Sequence, residues 1–161
     1  MLEIRKAAVA DKTRIWEIIK SVISTGDTYV FAPDSSRKKM LAYWFAADKK
    51  TYVALWENEI VGTFYLKDNQ PDLGSHVANA GYMVAPEAKG KRVGRAMAEF
   101  SLDEAKKLGY QAMQFNFVVK SNEIAVKLWL DLGFEIIGEI PEAFNHAELG
   151  LTNAYLMYRK L

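Results

Sequence analysis

The stretch Tyr82-Met83-Val84-Ala85-Pro86-Glu87-Ala88-Lys89-Gly90-Lys91-Arg92-Val93-Gly94-Arg95-Ala96-Met97 decides how this chain is read. An apolar strand runs into a short cationic loop that opens a helix directly. The first turn of a helix carries N–H groups without intrahelical partners and the positive end of the helix dipole. Gly90 and Gly94 carry no side chain, so an anion can approach the backbone, while Lys89, Lys91, Arg92 and Arg95 add formal charge. Physically this is a phosphate cradle. It is neither of the common nucleotide loops, because it lacks G-x-x-x-x-G-K-[ST] and no G-x-G-x-x-G follows the first strand. Taken by composition alone, it also fits a solvated basic turn.

Working outward, Val93, Met97, Phe100, Ala105 and Leu108 mark one helix face, and Gly109 stops that helix. Gln111 to Val119 is β-branched and aromatic, hence a strand. A further helix is expected from about Asn122 to Leu132, with Gly133 as its stop. Phe134 to Ile140 and Ala154 to Arg159 read as strands. Upstream, Leu2 to Ala7 alternates as a half-buried strand, and Asp11 stands as N-cap before Ile15, Ile18, Ile19, Val22 and Ile23. Asp34 and Ser35 open a second helix through Met40, Leu41, Trp44 and Phe45. Thr51 to Trp56, Glu57-Asn58-Glu59 and Ile60 to Leu66 form a hairpin. A polar loop with Asn69, Pro71 and Gly74 leads to a strand at Ala78 to Val84. A hairpin followed by β-α-β-α-β gives an α+β (mixed α/β) fold in one domain, residues 1–161.

Composition narrows the function. With 161 residues, 50% hydrophobic and 25% charged, the chain can bury a core unaided. It has no cysteine, so disulfides, thiol nucleophiles and thiolate metal sites are excluded. The two histidines stand far apart, which argues against a metal site. A net charge of +1 gives no global field for nucleic acid. No apolar run approaches the roughly 18 residues of a membrane span, and the opening residues do not read as a signal peptide. A soluble, cytoplasmic protein is expected.

Two segments together carry a resemblance. Val84-x-Pro86-x-x-Lys89-Gly90-Lys91-Arg92-Val93-Gly94-Arg95-Ala96 resembles the acetyl-CoA signature of the GCN5-related N-acetyltransferase (GNAT) superfamily, and Asn122 to Trp129 followed by Leu132-Gly133-Phe134 resembles its second signature. The resemblance covers nearly the whole chain in order. It departs from the pattern at Lys89, where Arg or Gln is usual, and at Arg92, which takes the usual first glycine. It implies a central, mostly antiparallel sheet with splayed fourth and fifth strands and flanking helices. It also implies acetyl-CoA as co-substrate. Tyr82, Met83 and Val84 would pair with the pantetheine arm, Lys89, Gly90, Lys91, Arg92, Val93, Gly94 and Arg95 would take the pyrophosphate, and Asn122 would contact the cofactor arm. Asn122 also suits a plain N-cap.

The implied reaction is attack of an amine on a thioester. An aliphatic amine of pKa near 10 is roughly one part in a thousand neutral at pH 7, so freeing the nucleophile costs about 4 kcal/mol. A thiolate leaves more readily, so a base or water chain is the greater need. A strand-end N–H near Val84 is expected to meet the oxyanion. Where many relatives place a tyrosine acid, this chain has Trp129, which suits a core position, and Tyr82 is a substitute candidate. Asn79 and Asn116 are polar among apolar strand neighbours and need partners. Their arrangement with Asn122 resembles the fungal-type enzymes that acetylate proline-like amino acids, which makes Asn79, Asn116 and Tyr82 the catalytic candidates. The segment Tyr29, Val30, Phe31 and the tail loop Phe144, Asn145, His146 are expected to wall the acceptor pocket. The expected partners are a small-molecule amine, with no nucleic acid and no membrane, and a homodimer is compatible. Acetylation of a protein N-terminus or lysine, or a non-catalytic CoA-binding regulatory module, are the alternatives.

Overall fold

A computed structural model describes residues 1–161. All seven strands join one sheet in the order β1-β2-β3-β4-β5-β7-β6. They are β1 (Leu2–Lys6), β2 (Lys49–Trp56), β3 (Glu59–Asp68), β4 (Val77–Val84), β5 (Ala112–Val119), β6 (Glu135–His146) and β7 (Gly150–Lys160). The helices are α1 (Lys12–Ile23), α2 (Arg37–Trp44), α3 (Val93–Lys107) and α4 (Glu123–Asp131). Every pairing is antiparallel except β4 with β5. That parallel pair holds only at Val77↔Ala112 and Ala78↔Met113, after which the two strands part. This parting is the expected splay.

Side chains alternate across the sheet with period two. Phe64 and its cross-strand partner Tyr82 face α3, where Phe64 lies 6.1 Å from Phe100. Thr63 and Tyr65 face α2: Trp44 Nε1 donates to Thr63 Oγ1 at 2.9 Å, and the Trp44 and Tyr65 rings meet edge-on at 4.9 Å. Helix α3 buries Val93, Met97, Ala98, Leu102 and Ala105, and α1 buries Ile15, Ile18, Ile19 and Ile23; of the stripes read from the sequence, Phe100 and Val22 are only partly buried and Leu108, past the end of α3, is exposed. Close packing also dictates Gly62, whose added Cβ would stand 2.9 Å from the Met97 sulfur. The β2–β3 turn places Glu57 at φ 50° and Asn58 at φ 70°, the twist that suits a two-residue hairpin.

Three local expectations are corrected. Asp11 stands before α1 but its side chain does not cap that helix; it turns back to accept the Ala8 N–H at 2.7 Å and to pair with Arg5 at 2.8 Å. The pull of Arg5 makes this backward bond the better one for the carboxylate. Helix α2 is opened by Ser36, whose hydroxyl accepts from the Lys39 N–H at 3.1 Å, rather than by Asp34 or Ser35. Residues 144–146, expected in a loop, belong to β6. Pro141 has no N–H to donate, but β6 is an edge strand and shifts register between Ile140 and Phe144, with Glu142 at φ 49° and its N–H held by Asn153 Oδ1 at 2.9 Å. The bulge carries the strand past the proline.

Candidate active site

The loop after β4 ends in Arg92, which adopts a left-handed conformation (φ 59°, ψ 22°) immediately before α3. A side chain at this position is strained by about 1–2 kcal/mol relative to the right-handed region. Like any helix, α3 starts with its first amides bare, and no side chain caps them. Ala96 is the first residue of the helix to close on a carbonyl four back, donating to Arg92 at 3.1 Å. The N–H groups of Arg92, Val93, Gly94 and Arg95 donate to nothing within the chain. Lys89, Gly90, Lys91 and Arg92 are exposed around them. An added Cβ at Gly90 meets no atom within 4 Å, and one at Gly94 meets only Val84 Cγ2 at 3.7 Å, so both glycines border open space. Bare amides, open glycines and surrounding cations together fit a pyrophosphate.

Asn122 caps α4 in the way its type favours, its Oδ1 accepting from the Ala125 N–H at 3.4 Å. Beside it the Ser121 hydroxyl is buried and has no partner. A buried hydroxyl left unpaired is costly, so this position fits a ligand group arriving at the head of α4.

Ala85 donates to Val61 and Asn69 donates to Val77, so the odd-numbered residues of β4 turn their backbone groups toward β3. Tyr82 therefore turns its N–H and C=O into the splay. Both are engaged by one hydroxyl: the Tyr82 N–H donates to Tyr29 Oη at 2.8 Å, and the Tyr29 hydroxyl donates to the Tyr82 carbonyl. Burial pushes the Tyr29 hydroxyl well above the ordinary tyrosine range, against the opposing pull of the Tyr82 backbone bond.

The Tyr82 side chain goes the other way. Its hydroxyl lies 2.6 Å from Ser101 Oγ on α3, and because Ser101 spends its own proton on the Ala98 carbonyl, Tyr82 is the donor. Burial raises this hydroxyl above the usual range too. Trp129 is packed among Tyr82 at 5.0 Å, Phe115 at 4.4 Å and Phe134 at 5.5 Å, a core residue.

Asn79 and Asn116 are brought together by Asn69, which the sequence marks only as a polar loop residue. Asn69, at the start of the β3–β4 connection, accepts from Asn79 Nδ2 at 3.0 Å and from Asn116 Nδ2 at 2.7 Å through the same Oδ1. Gln114 Nε2 in turn donates to Asn116 Oδ1 at 3.0 Å. Asn79 Oδ1 accepts from nothing in the chain. This amide chain spans the two strands just where their pairing stops.

On the same face, Tyr65 lies over Gly81 so tightly that a Cβ there would come within 2.8 Å of its ring. Tyr43 Oη stands 3.3 Å from Tyr65 Oη, and rings continue from Tyr43 to Phe31 at 4.9 Å and from Phe31 to Tyr29 at 6.2 Å. Lys49 Nζ caps the row, 4.0 Å above the Tyr43 ring. The chain just ahead of Tyr29 is tied to the tip of the β6–β7 hairpin, just past His146: the Ala147 N–H donates to the Gly26 carbonyl at 3.0 Å. His146 serves that tip, its Nδ1 accepting from the N–H groups of Glu148 and Leu149. No group of histidine and carboxylate side chains is arranged to hold a metal ion, and no helix is long and apolar enough to cross a membrane.

A family model described as Acetyltransferase (GNAT) family matches residues 16–134. The chain belongs to the GNAT acetyltransferase family. Among curated proteins, N-acetyltransferase aca1 of Schizosaccharomyces pombe is 35% identical over 112 residues, which is 69% of this chain and 54% of that protein. Protein SPT10 of Saccharomyces cerevisiae is 31% identical over 88 residues, 55% of this chain and 14% of that protein. The match thus spans about half the length of the first of these curated relatives and much less of the second. A GCN5-related N-acetyltransferase structure from Kribbella flavida superposes with a TM-score of 0.94 at 37% identity, covering 99% of this chain and 98% of that one. A phosphinothricin acetyltransferase from Sinorhizobium meliloti, solved in complex with acetyl-CoA, has a TM-score of 0.86 at 22% identity, over 99% of this chain and 88% of that one; it attests the GNAT fold.

Proposed function

We propose that this GNAT chain transfers the acetyl group of acetyl-CoA to the amine of a small molecule or amino acid. The observation that carries the reading is the row of bare amides from Arg92 to Arg95 beside the open splay of β4 and β5. Those amides, with Lys89, Gly90, Lys91 and the Arg92 and Arg95 side chains, would hold the diphosphate. Val84 would pair with the pantetheine arm and Tyr82 would meet its acyl end, while Met83, its backbone turned to β3, would back them from within the sheet; Asn122 with Ser121 would meet the arm at the head of α4. When bound, acetyl-CoA supplies an activated acyl carbonyl.

The other roles fall to the chain. The Tyr82 N–H is a fixed donor in a narrow cleft, the arrangement that stabilises negative charge developing on a carbonyl oxygen. Asn79 and Asn116, braced by Asn69, would orient the acceptor amine, and the unpartnered Asn79 Oδ1 is placed to accept its N–H or a water that takes its proton. The Tyr82 hydroxyl, committed to Ser101, is not the acid. A small acceptor is supported by the aromatic row of Tyr29, Phe31, Tyr43 and Tyr65 and by the Gly26–Ala147 contact, which together enclose the acceptor side. A cytoplasmic setting is proposed with it, since a cysteine-free chain draws nothing from an oxidising compartment.

Calorimetry with CoA and thiol release from acetyl-CoA across amino acids, proline analogues, polyamines and short peptides test this. Binding with turnover of a small amine is expected. Turnover of peptides alone would move the assignment to a protein acceptor, and binding without any turnover would make the chain a CoA-binding module.

A further inference from the structure

Resting on the reading above and extending it, we propose that the Tyr29 hydroxyl and the acyl carbonyl compete for one place, the Tyr82 N–H. Acyl-CoA, and not CoA, is then the ligand that evicts the hydroxyl. The Tyr29 hydroxyl satisfies both backbone groups that Tyr82 turns into the splay, accepting from the N–H at 2.8 Å and donating to the C=O. An entering acyl oxygen needs the same N–H, because a carbonyl only accepts. Free CoA ends in a thiol, a weak acceptor that does not compete for an amide N–H. The two ligands share every contact at the diphosphate and differ at this one point. A ligand shifts a conformation only through its differential affinity for the two states, and the acyl oxygen supplies that difference here.

Tyr29 sits between α1 and α2, in the segment that walls the acceptor side. Its ring stacks on Phe31, which meets Tyr43 edge-on, and the same segment is pinned to the β6–β7 tip through the Gly26 carbonyl and the Ala147 N–H. Moving the hydroxyl out of the splay therefore moves the acceptor wall. The device makes Tyr29 a specificity-determining residue: the wall responds to the loaded carrier and ignores the spent one.

Two measurements test it. In calorimetry, Tyr29→Phe keeps the ring and its packing but frees the Tyr82 N–H. The expected result is an acetyl-CoA Kd about fivefold lower, with the CoA Kd changed by less than about twofold, so that the ratio of the two widens by the net worth of one hydrogen bond. An unchanged ratio overturns the proposal. So does weaker acetyl-CoA binding, which would make the hydroxyl a partner of the acyl group rather than its competitor. In the wild-type protein, amide hydrogen exchange across residues 25–33 should rise with acetyl-CoA and stay constant with CoA; a rise with both, or with neither, overturns it as well. Failure of both ligands to bind the wild type would instead remove the acetyl-CoA reading on which the proposal stands.

Discussion

Gly94 offers a substitution in which stability and ligand affinity should move in opposite directions. It is the second residue of α3, with an ordinary helical φ, and an added Cβ meets only Val84 Cγ2 at 3.7 Å, which is normal contact. Gly94→Ala therefore fits the fold. Alanine is favoured over glycine by about 0.8–1.0 kcal/mol in a helix interior, and about half of that is expected in the first turn. For a chain of 161 residues this raises Tm by about 1–2 °C. The new methyl group, however, stands beside one of the bare amides. Loss of a single hydrogen bond to a charged group is worth about 1.5–3 kcal/mol, and 2 kcal/mol corresponds to about a 30-fold rise in Kd for CoA. Calorimetry and thermal denaturation on the same preparation report the two effects. A Tm that rises while Kd stays within twofold of the wild type would refute the diphosphate cradle and leave α3 as an ordinary exposed helix end.

Three further outcomes follow from contacts described above. The Asp11 carboxyl is held below its usual value by hydrogen bonding to Arg5, against its burial, with the Ala8 N–H adding to the pull. Its stabilisation is complete above the unfolded value near 4 and is lost as pH falls through the lower folded value. Asp11→Asn should therefore lower stability at pH 7 by about 1–2 kcal/mol and flatten the acid side of the stability profile, measured as urea midpoints between about pH 2 and 6. Thr63 is fully buried and both accepts from Trp44 Nε1 and donates to the Tyr52 carbonyl at 2.8 Å. Thr63→Val should lower stability by about 1–3 kcal/mol in denaturant titration, because the indole N–H is left unpaired. Trp129→Tyr installs the residue type that many GNAT relatives carry, yet its hydroxyl would lie among Tyr82, Phe115 and Phe134. Steady-state kinetics should show no gain in kcat, and stability should fall by about 1–3 kcal/mol.

What the sequence disclosed was local. Gly26, Gly109 and Gly133 do end their helices with positive φ, and Asn122 does cap α4, because those roles depend on residue type and near neighbours. The cationic loop and its bare amides were legible for the same reason. The contacts that shape the site are long-range and were not. Asn69 reads as one more polar loop residue until β4 and β5 are placed beside each other, 10 and 47 residues along the chain. The bond between Tyr29 and Tyr82 spans 53 residues, and no periodicity announces it. The direction of the Tyr82 hydroxyl depended on strand register, which a shift of one residue would have reversed. Asp11 misled because a good cap type also makes a good ion-pair acceptor, and Arg5 lay within reach.

The Asn69 brace has a consequence for how this enzyme architecture can change. A single amide oxygen, carried on a peripheral turn, clasps both banks of the cleft at the point where it begins to widen. Lengthening or shortening residues 69–76 would reposition that clasp without disturbing a core side chain or a diphosphate contact. On the proposed reading, acceptor choice is thereby adjustable from the rim, and grafting this turn between homologues is the economical way to alter which amines are admitted.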